Sequence, residues 1–306
     1  MKKMMKCHPI ISIVIPSKGR AEPVSRLIGS INQQDYPQDR MEIIVIDDGS
    51  EIPYRFDDER IKLIRHDRSV GAQKGRNMGI RHATGDLIFM CDDDVELMEP
   101  GYLSACHDLL DRRPEVGAVF SRKIDCISKN GCITELDYST SRVSFYSGDL
   151  EPACNHTGPI QWGHQAYLIR KSILLELGGY DGIYGLNGGH SFREESDLQS
   201  RLRQAGYQLW LLDHITMRHH IQADGGHGAS IGRRLYWIAH NHMVFLRRHI
   251  AFWPLRAVGF LLDVLRYSWV QGRMRYTGRM MQGYLAGWRN ALRDRGPGRN
   301  AWLEQA

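Results

Sequence analysis

The segment TGDLIFMCDDD, residues 84–94, joins a short apolar run to three consecutive carboxylates. Residues 87–91 are apolar and short, which is typical of a strand buried on both faces. Asp92, Asp93 and Asp94 follow where that strand should end. Three adjacent like charges repel one another and lose hydration on burial, so a divalent cation that also binds a phosphate-bearing ligand is the simplest compensation. The segment therefore predicts an enzyme that acts on a nucleotide-linked substrate.

Strand and helix patterns alternate on both sides of this segment. Short apolar runs predict strands over residues 11–15, 41–46, 61–64 and 87–91. Apolar residues at helical spacing predict helices over residues 23–34 and 75–83. This alternation predicts an α/β fold with a mostly parallel, doubly wound sheet and flanking helices.

Polar residues follow three of these predicted strands. They are Pro16 and Ser17, Asp47 and Asp48, and the aspartates at 92–94. In doubly wound sheets, ligands bind beyond the carboxyl ends of the strands. We therefore expect these residues to converge on one crevice.

The second half of the chain is less regular. Strands are predicted over residues 116–120, 165–169 and 207–212, and helices over 170–177 and 194–205. We divide the chain into a domain over residues 1–228 and a basic helical C-terminal extension over residues 229–306. Within the domain, we separate a first half, about residues 10–115, from a second half, about residues 116–228.

Charge separates the extension from the rest. Residues 229–306 hold thirteen arginines, no lysine and three acidic residues, a net +10, whereas the whole chain is +5, so the remainder is about −5. One interpretation is a helical cap on the domain. The other is an interfacial amphipathic element, with Trp253, Trp269 and Trp288 among the arginines, that docks on anionic lipid. Pro254 and the charges argue against a transmembrane span.

The overall composition is that of an ordinary globular enzyme. Hydrophobic residues make up 42% of the chain and charged residues 25%, and six cysteines are scattered without a CxxC pair. The N-terminus shows no secretion signal. We therefore expect a cytoplasmic protein with free thiols, peripheral at the inner face of the membrane if the extension binds lipid.

Several motifs together resemble glycosyltransferase family 2. These are IIVIDDGS at 43–50, GAQKGRNMG at 71–79, ATGD at 83–86 and the aspartate triplet, which forms a DXD motif. Their order and spacing match the family over about residues 10–226. The resemblance implies a GT-A fold, a nucleotide-sugar donor and a divalent cation, Mg²⁺ or Mn²⁺. It makes residues 10–115 the donor half of the domain and residues 116–228 the acceptor half. Taken alone, the triplet is equally compatible with a solvated acidic turn.

The resemblance also assigns donor-side roles. Asp48 would read the nucleobase, and because a carboxylate accepts the N3 proton of uracil, we expect a UDP-linked donor. Asp47 lies in the same turn, and it also suits an Asx turn that closes the strand. Arg76 and Asn77 correspond to a donor-side pair of the family. Asp94 corresponds to the metal ligand, with Asp92 and Asp93 directed towards the ribose and the metal.

Acceptor-side chemistry is assigned to FREESDL, residues 192–198. In the family, the second acidic residue of this motif is the general base, which here is Glu195. Most members carry Asp there, and Glu is one methylene longer. Acidic residues also favour a helix start, which accounts for Glu194 and Asp197 without catalysis. His219 corresponds to a metal-side histidine of the family, with His220 as its competitor.

These assignments predict an inverting, metal-dependent glycosyltransferase. The Gln-x-x-Arg-Trp pattern of processive synthases is absent from the sequence, so we expect transfer of single sugars to a hydroxyl acceptor in cell-surface glycan or other glycoconjugate biosynthesis. The acceptor class stays open among glycans, lipid-linked sugars, peptides and small molecules. Two alternatives are a nucleotidyltransferase with the same metal site and a non-enzymatic basic adaptor that binds membrane or nucleic acid. No nucleic-acid partner is expected for the enzyme.

Overall fold

The computed structural model describes residues 8–129, 132–137, 157–188, 192–221, 231–270 and 277–294. The predicted boundary between residues 228 and 229 lies outside these ranges.

The described residues form ten strands and eight α-helices. The strands are β1 Ile11–Ser17, β2 Met41–Asp47, β3 Ile61–Arg65, β4 Leu87–Met90, β5 Val95–Leu97, β6 Val116–Lys129, β7 Cys132–Asp137, β8 Gly158–Ile160, β9 Tyr167–Arg170 and β10 Gln208–Ile221. The helices are α1 Ala21–Asn32, α2 Ala72–His82, α3 Tyr102–Arg112, α4 Lys171–Leu177, α5 Glu194–Gln204, α6 Ile231–His249, α7 Trp253–Val270 and α8 Thr277–Arg293. Short 3₁₀ segments cover Gln38–Arg40 and Gly182–Gly188.

The strands form one mixed sheet in the order β3-β2-β1-β4-β9-β6-β10-β5, with β7 beside β6 and β8 beside β10. The first four strands of this order are parallel, as the alternating pattern predicts. β9 is antiparallel to both β4 and β6, and β6 and β10 are parallel to each other. Both β6 and β10 are longer than the sequence pattern indicated, because their second halves also pair with β7 and β5. The α/β prediction is confirmed.

Side chains alternate between the two faces of the sheet, and each face is covered by helices. Ile11, Ile13 and Ile15 of β1 belong to the core beneath α1 and α3, whereas Val14 belongs to the core beneath α2, α4 and α5. α2 lies very close to β1, since a Cβ added at Gly79 would stand 2.2 Å from Val14 Cγ1. This close packing fixes the N-terminal end of α2 above the carboxyl edge of the sheet.

The described part of the C-terminal extension is helical and has a small core of its own, built from α6, α7 and α8. α8 approaches α6 at two glycines: a Cβ at Gly283 or Gly287 would lie 2.1 Å from the Tyr236 carbonyl oxygen or 2.4 Å from that of His240. Within the part of the chain that the structure covers, no helix is long and apolar enough to cross a membrane.

Candidate active site

The carboxyl ends of β1 and β4 meet as predicted. These strands are parallel neighbours, and the Ser17 hydroxyl at the end of β1 donates a 2.5 Å hydrogen bond to Asp93 Oδ2. Ser17 also shares a 2.7 Å hydrogen bond with the Tyr54 hydroxyl. Ser17 and Asp93 are buried. The polar residues at two strand ends therefore form one cluster.

Arg20, which the sequence analysis did not single out, neutralises part of the acidic triplet. Its Nη1 donates to Asp93 Oδ1 at 2.7 Å, and its Nη2 donates to Asp94 Oδ2 at 3.0 Å. Burial raises the pKa of Asp93 to about 7, against the opposing effect of the Arg20 charge. The chain thus supplies a cation for these carboxylates, which the sequence argument assigned to a metal alone.

Arg76 is the second cation of the site, and it connects the donor half to α5. Nη2 donates to Asp92 Oδ1 at 2.6 Å and to Glu195 Oε1 at 3.1 Å, while Nη1 donates to Glu194 Oε1 at 3.0 Å. Arg76 itself is buried. Burial raises the pKa of both glutamates, with the Arg76 charge opposing the shift. The Arg76 guanidinium therefore contacts both Asp92, which follows β4, and Glu195, the predicted base.

Asn77, the second residue of the predicted donor-side pair, hydrogen-bonds to the backbone of the acceptor half. Its Nδ2 donates to the Tyr180 carbonyl and its Oδ1 accepts from the Tyr180 N–H, both at 2.8 Å. The side chain is buried. Asn77 therefore ties α2 to the segment that precedes Gly182–Gly188, and this geometry gives it a structural role.

The two aspartates that end β2 hold the turns around the crevice. Asp47 is fully buried, accepts from the Ser50 N–H at 2.9 Å and pairs with Arg65. Burial opposes ionisation of Asp47, but these partners hold its pKa below the usual value. Asp47 therefore closes the turn, which is the structural interpretation left open by the sequence.

Asp48 supports the loop that leads into α2. Its carboxylate accepts hydrogen bonds from Ser69 Oγ and the Val70 N–H, both at 2.6 Å, and from the Gly71 N–H at 3.1 Å. A carboxylate has about four acceptor positions, so one is left for a ligand. The next residue, Gly49, has a φ of 71°, and a Cβ there would lie 2.9 Å from the Arg68 backbone. Only glycine suits this turn.

His219 and Asp94 form the part of the site that suits a metal ion. The His220 N–H donates to the Asp94 carbonyl at 2.8 Å, so β10 runs directly past the triplet. His219 Nε2 lies 3.4 Å from Asp94 Oδ1, which is buried and has no hydrogen-bond partner among the described residues. Consecutive side chains of a strand face opposite ways, and His220 instead pairs with Glu96 at 2.9 Å. His219 is therefore the histidine on the Asp94 side.

Asp125, which the sequence analysis also missed, orients His219. Its Oδ1 lies 2.7 Å from His219 Nδ1, because Asp125 on β6 is the register partner of His219 on β10. A carboxylate on the far nitrogen of a metal-binding histidine fixes its tautomer and raises its basicity. No sequence signal marks Asp125, because the register of the two strands is a property of the folded sheet.

Asp94 and His219 fit a divalent cation. Asp94 Oδ1 lies beside His219 Nε2, and Asp125 at the other ring nitrogen fixes the tautomer of the imidazole. Asp92 does not join them, because it accepts a hydrogen bond from Arg76. Among the described residues there is no group of three or more His, Cys, Asp or Glu arranged around one ion. A cation held here would need further ligands, such as the phosphates of a donor.

Helix α6 of the C-terminal extension holds the start of α5. Arg193, which precedes α5, has a left-handed φ of 73° and donates to His242 Nδ1 at 3.1 Å. Asn241 Nδ2 donates to the carbonyls of Tyr184 at 2.8 Å and Phe192 at 3.1 Å. The extension therefore supports the helix that carries the predicted base.

Asp197 of α5 is held by cations from two helices. His249 Nε2 lies 2.7 Å from Asp197 Oδ1, and Arg201 Nε donates to Oδ2 at 2.8 Å. Arg248, which pairs with Asp181 and Asp294, lies 3.5 Å from Asp197. Asp197 is fully buried, so it is a structural anchor between α5 and α6.

Two curated glycosyltransferases are similar to this chain in sequence. Glycosyltransferase AglE of Haloferax volcanii is 23% identical over 243 residues, 70% of this chain and 79% of that protein. The pre-mycofactocin glycosyltransferase of Mycobacterium tuberculosis is 27% identical over 208 residues, 66% of this chain but only 41% of that protein.

Solved structures with the same fold include a mannosyltransferase and TarS, each in complex with a nucleotide sugar. The mannosyltransferase PcManGT of Pyrobaculum calidifontis, in complex with GDP-Man and Mn²⁺, has a TM-score of 0.55 and 17% identity, covering 95% of this chain and 89% of that one. TarS of S. aureus, in complex with UDP-GlcNAc, has a TM-score of 0.57 and 14% identity, covering 92% and 79%. At this identity they establish the GT-A fold.

The sequence model described as glycosyl transferase family 2 matches residues 12–174, more than half of the chain. The match begins in β1 and ends in α4, so it includes the aspartate triplet and the turn at Asp48. The chain belongs to glycosyl transferase family 2 and is a glycosyltransferase.

Proposed function

We propose that this enzyme is an inverting, metal-dependent glycosyltransferase that moves a single sugar from a nucleotide-diphosphate sugar to a hydroxyl acceptor. One observation carries the proposal: Arg76 joins Asp92, which follows β4, to Glu195, at the start of α5. The candidate base and an aspartate of the predicted donor site are therefore hydrogen-bonded to the same arginine side chain.

Glu195 has the properties that a general base needs. Its side chain is 26% exposed, so an acceptor hydroxyl is able to reach it. Its raised pKa increases its affinity for the proton of that hydroxyl, while Arg76 still favours the ionised form. Direct attack by the hydroxyl on the anomeric carbon needs one base and inverts the configuration. Glu195 would take the proton as the acceptor attacks.

Asp94 and His219 would hold Mg²⁺ or Mn²⁺, with Asp125 orienting the histidine. The ion, when bound, neutralises charge on the departing nucleoside diphosphate. Arg20 places a further positive charge beside Asp93 and Asp94. The solved neighbour in complex with GDP-Man also holds Mn²⁺, which supports a divalent cation.

The donor pocket would be lined by the ends of β1, β2 and β4. We assign the nucleobase to Asp48 through its remaining acceptor position, and the ribose side to Asp92 and Asp93, with Pro16 and Ser17 forming the floor. Solved neighbours bind GDP-Man and UDP-GlcNAc, so the preference for a UDP-linked donor depends on Asp48. Asp47 and Asn77 would act by holding the walls of the pocket in place.

The acceptor would be a glycan, lipid-linked sugar, peptide or small molecule in the synthesis of cell-surface glycan or another glycoconjugate. We propose a cytoplasmic location with peripheral contact to the membrane through the C-terminal extension. The family match and the glycosyltransferase relatives favour sugar transfer over nucleotidyl transfer and over a non-enzymatic adaptor.

The test starts with a panel of UDP- and GDP-linked sugars with Mn²⁺ or Mg²⁺. Thermal unfolding identifies the donor, because a ligand bound to the folded state raises stability by mass action. Release of nucleoside diphosphate in the presence of candidate acceptors then measures turnover. We expect Glu195→Gln to lower turnover at least about a hundredfold while the donor still stabilises the protein. Asp94→Ala should lose both turnover and metal-dependent donor stabilisation.

Glu115→Gln is the matched control, because Glu115 is a partly exposed glutamate that pairs with Arg113 at the surface. It should turn over like the unmodified enzyme. Full turnover by Glu195→Gln would exclude Glu195 as the base.

A further inference from the structure

Helix α7 has two apolar faces, and only one of them is packed. Ala257 and Phe260 are buried in the core of the C-terminal helices. On the opposite side, Leu255, Val258 and Leu262 are 73%, 51% and 61% exposed. The spacing of three and then four residues places these three side chains in one row along the helix. The helix therefore presents a continuous apolar stripe to solvent.

Two neighbouring residues extend this stripe. Phe252, immediately before the helix, is 80% exposed and has a left-handed φ of 54°. A Cβ at Gly259 would meet no atom within 4 Å, so the helix surface between the leucines is open. We call the surface formed by Phe252, Leu255, Val258 and Leu262 the α7 stripe. An exposed apolar patch of this kind marks an interaction site.

The exposed charges of the C-terminal helices are of one sign where the structure describes them. The exposed arginines are Arg233, Arg234, Arg247, Arg256, Arg279, Arg289 and Arg293. Asp294, an acidic residue of this region, is held in an ion pair by Arg248. Arg256 lies on α7 itself, one residue from Leu255. The stripe is therefore set in a positively charged surface.

We propose that the α7 stripe docks on the surface of a bilayer that contains anionic lipid. Apolar side chains on one face of an interfacial helix enter the boundary between headgroups and acyl chains, and nearby arginines bind anionic headgroups. A second copy of the chain fits less well, because a two-fold contact would bring two arginine-rich surfaces together. The positive charge selects the lipid surface as the occupant.

This inference deepens the membrane contact in the proposed function by naming the surface and the lipid class. It rests on the proposed function only for the role that membrane binding would serve, because the binding of the chain to vesicles is measured without sugar transfer. A failure of lipid binding and a failure of sugar transfer are therefore separate results.

Flotation of the full chain with vesicles tests the proposal. One vesicle type is phosphatidylcholine alone, and the other contains equal parts of phosphatidylcholine and phosphatidylglycerol. We expect flotation with the anionic vesicles, and weaker flotation in high salt because salt screens charge at an exposed surface. Leu255→Asp and, separately, Leu262→Asp should bind at least about tenfold more weakly, since each removes an apolar contact and adds a repelled charge.

Leu175→Asp is the matched control, because Leu175 is a 42% exposed leucine on α4, outside the extension. It should float like the unmodified chain, and thermal unfolding should show that all three variants are folded. Absence of flotation with anionic vesicles overturns the proposal, as does flotation of both α7 variants to the same extent as the unmodified chain. A dimer in solution that Leu255→Asp converts to a monomer, without vesicle binding, would assign the stripe to a second copy.

Discussion

Arg20 and Arg76 divide the charge of the aspartate triplet between them. Arg20 pairs with Asp93 and Asp94, while Arg76 pairs with Asp92 and also holds Glu195. Truncating one member of such a buried ionic group leaves the remaining charges without partners, which typically costs about 3–5 kcal/mol. The two arginines therefore neutralise part of the charge of the triplet. Among the described residues, Asp94 Oδ1 has no hydrogen-bond partner and is the atom available to a metal ion.

The pKa of Glu195 sets the expected pH dependence of turnover. Burial raises it above the usual glutamate value of 4.5, and a base must be deprotonated to accept a proton. We therefore expect kcat/KM to rise with pH along an acidic limb that lies above pH 4.5, and to be lost as pH falls through the raised pKa. The measurement is a pH profile of kcat/KM, with Glu22→Gln on the surface of α1 as control. An acidic limb at pH 4.5 would contradict the assignment.

Asp125 is expected to control metal affinity through His219. Asp125→Asn keeps the shape but removes the charge on the far side of the ring, so Mn²⁺ should bind about 10–100-fold more weakly. Titration calorimetry with Mn²⁺ and the identified nucleotide measures this without turnover.

Glu96→Gln is the matched control for Asp125→Asn, because Glu96 pairs with His220 in the same way. It should leave Mn²⁺ affinity unchanged. The reverse pattern, with loss only in Glu96→Gln, would make His220 the metal-side histidine.

At the scale of elements, α6 acts as a support for α5. It contacts the residue before α5 through His242, Asp197 within α5 through His249, and two carbonyls through Asn241. All of these contacts join segments that lie about 50 residues apart in sequence. The extension thus does more than cover the domain, because it helps to fix the helix that carries Glu195.

Asn241→Ala tests this support. The variant leaves the carbonyls of Tyr184 and Phe192 without their donor, which should destabilise the protein by about 1–3 kcal/mol. We also expect kcat to fall about tenfold or more, because the base is less well placed, while donor stabilisation is kept. Urea unfolding and steady-state kinetics measure the two effects. Asn32→Ala, at an exposed asparagine of α1, should change neither, and an unchanged kcat in Asn241→Ala would contradict the supporting role.

At the scale of the whole molecule, the region of basic charge and the region of the family match have different boundaries. The basic charge is concentrated in the extension, whereas the family match ends in α4, before α5 begins. The family match therefore covers the donor half and the start of the acceptor half. Helix α5, which carries Glu195, and the extension, which carries the α7 stripe, lie beyond it.

The sequence by itself determined the α/β class, the first four parallel strands, α2 and the family. It did so because these depend on local signals: apolar runs of strand length, helical spacing, and acidic or glycine residues at strand ends. The family resemblance also pointed to Asp48, Asp94, Glu195 and His219, and the roles of these four residues stay predictions. Pattern alone did not foresee the antiparallel insertion of β9 or the full lengths of β6 and β10.

Only the tertiary structure decided which side chains meet. Arg20 reaches Asp93 across 73 residues of sequence, Asp125 reaches His219 across 94, and Arg76 reaches Glu195 across 119. Each contact depends on strand register and on how closely helices pack upon the sheet, and neither is encoded in the spacing of residues along a single segment. The exposure of the α7 stripe is likewise a property of the tertiary structure, because it depends on which face of α7 packs into the core of the C-terminal helices.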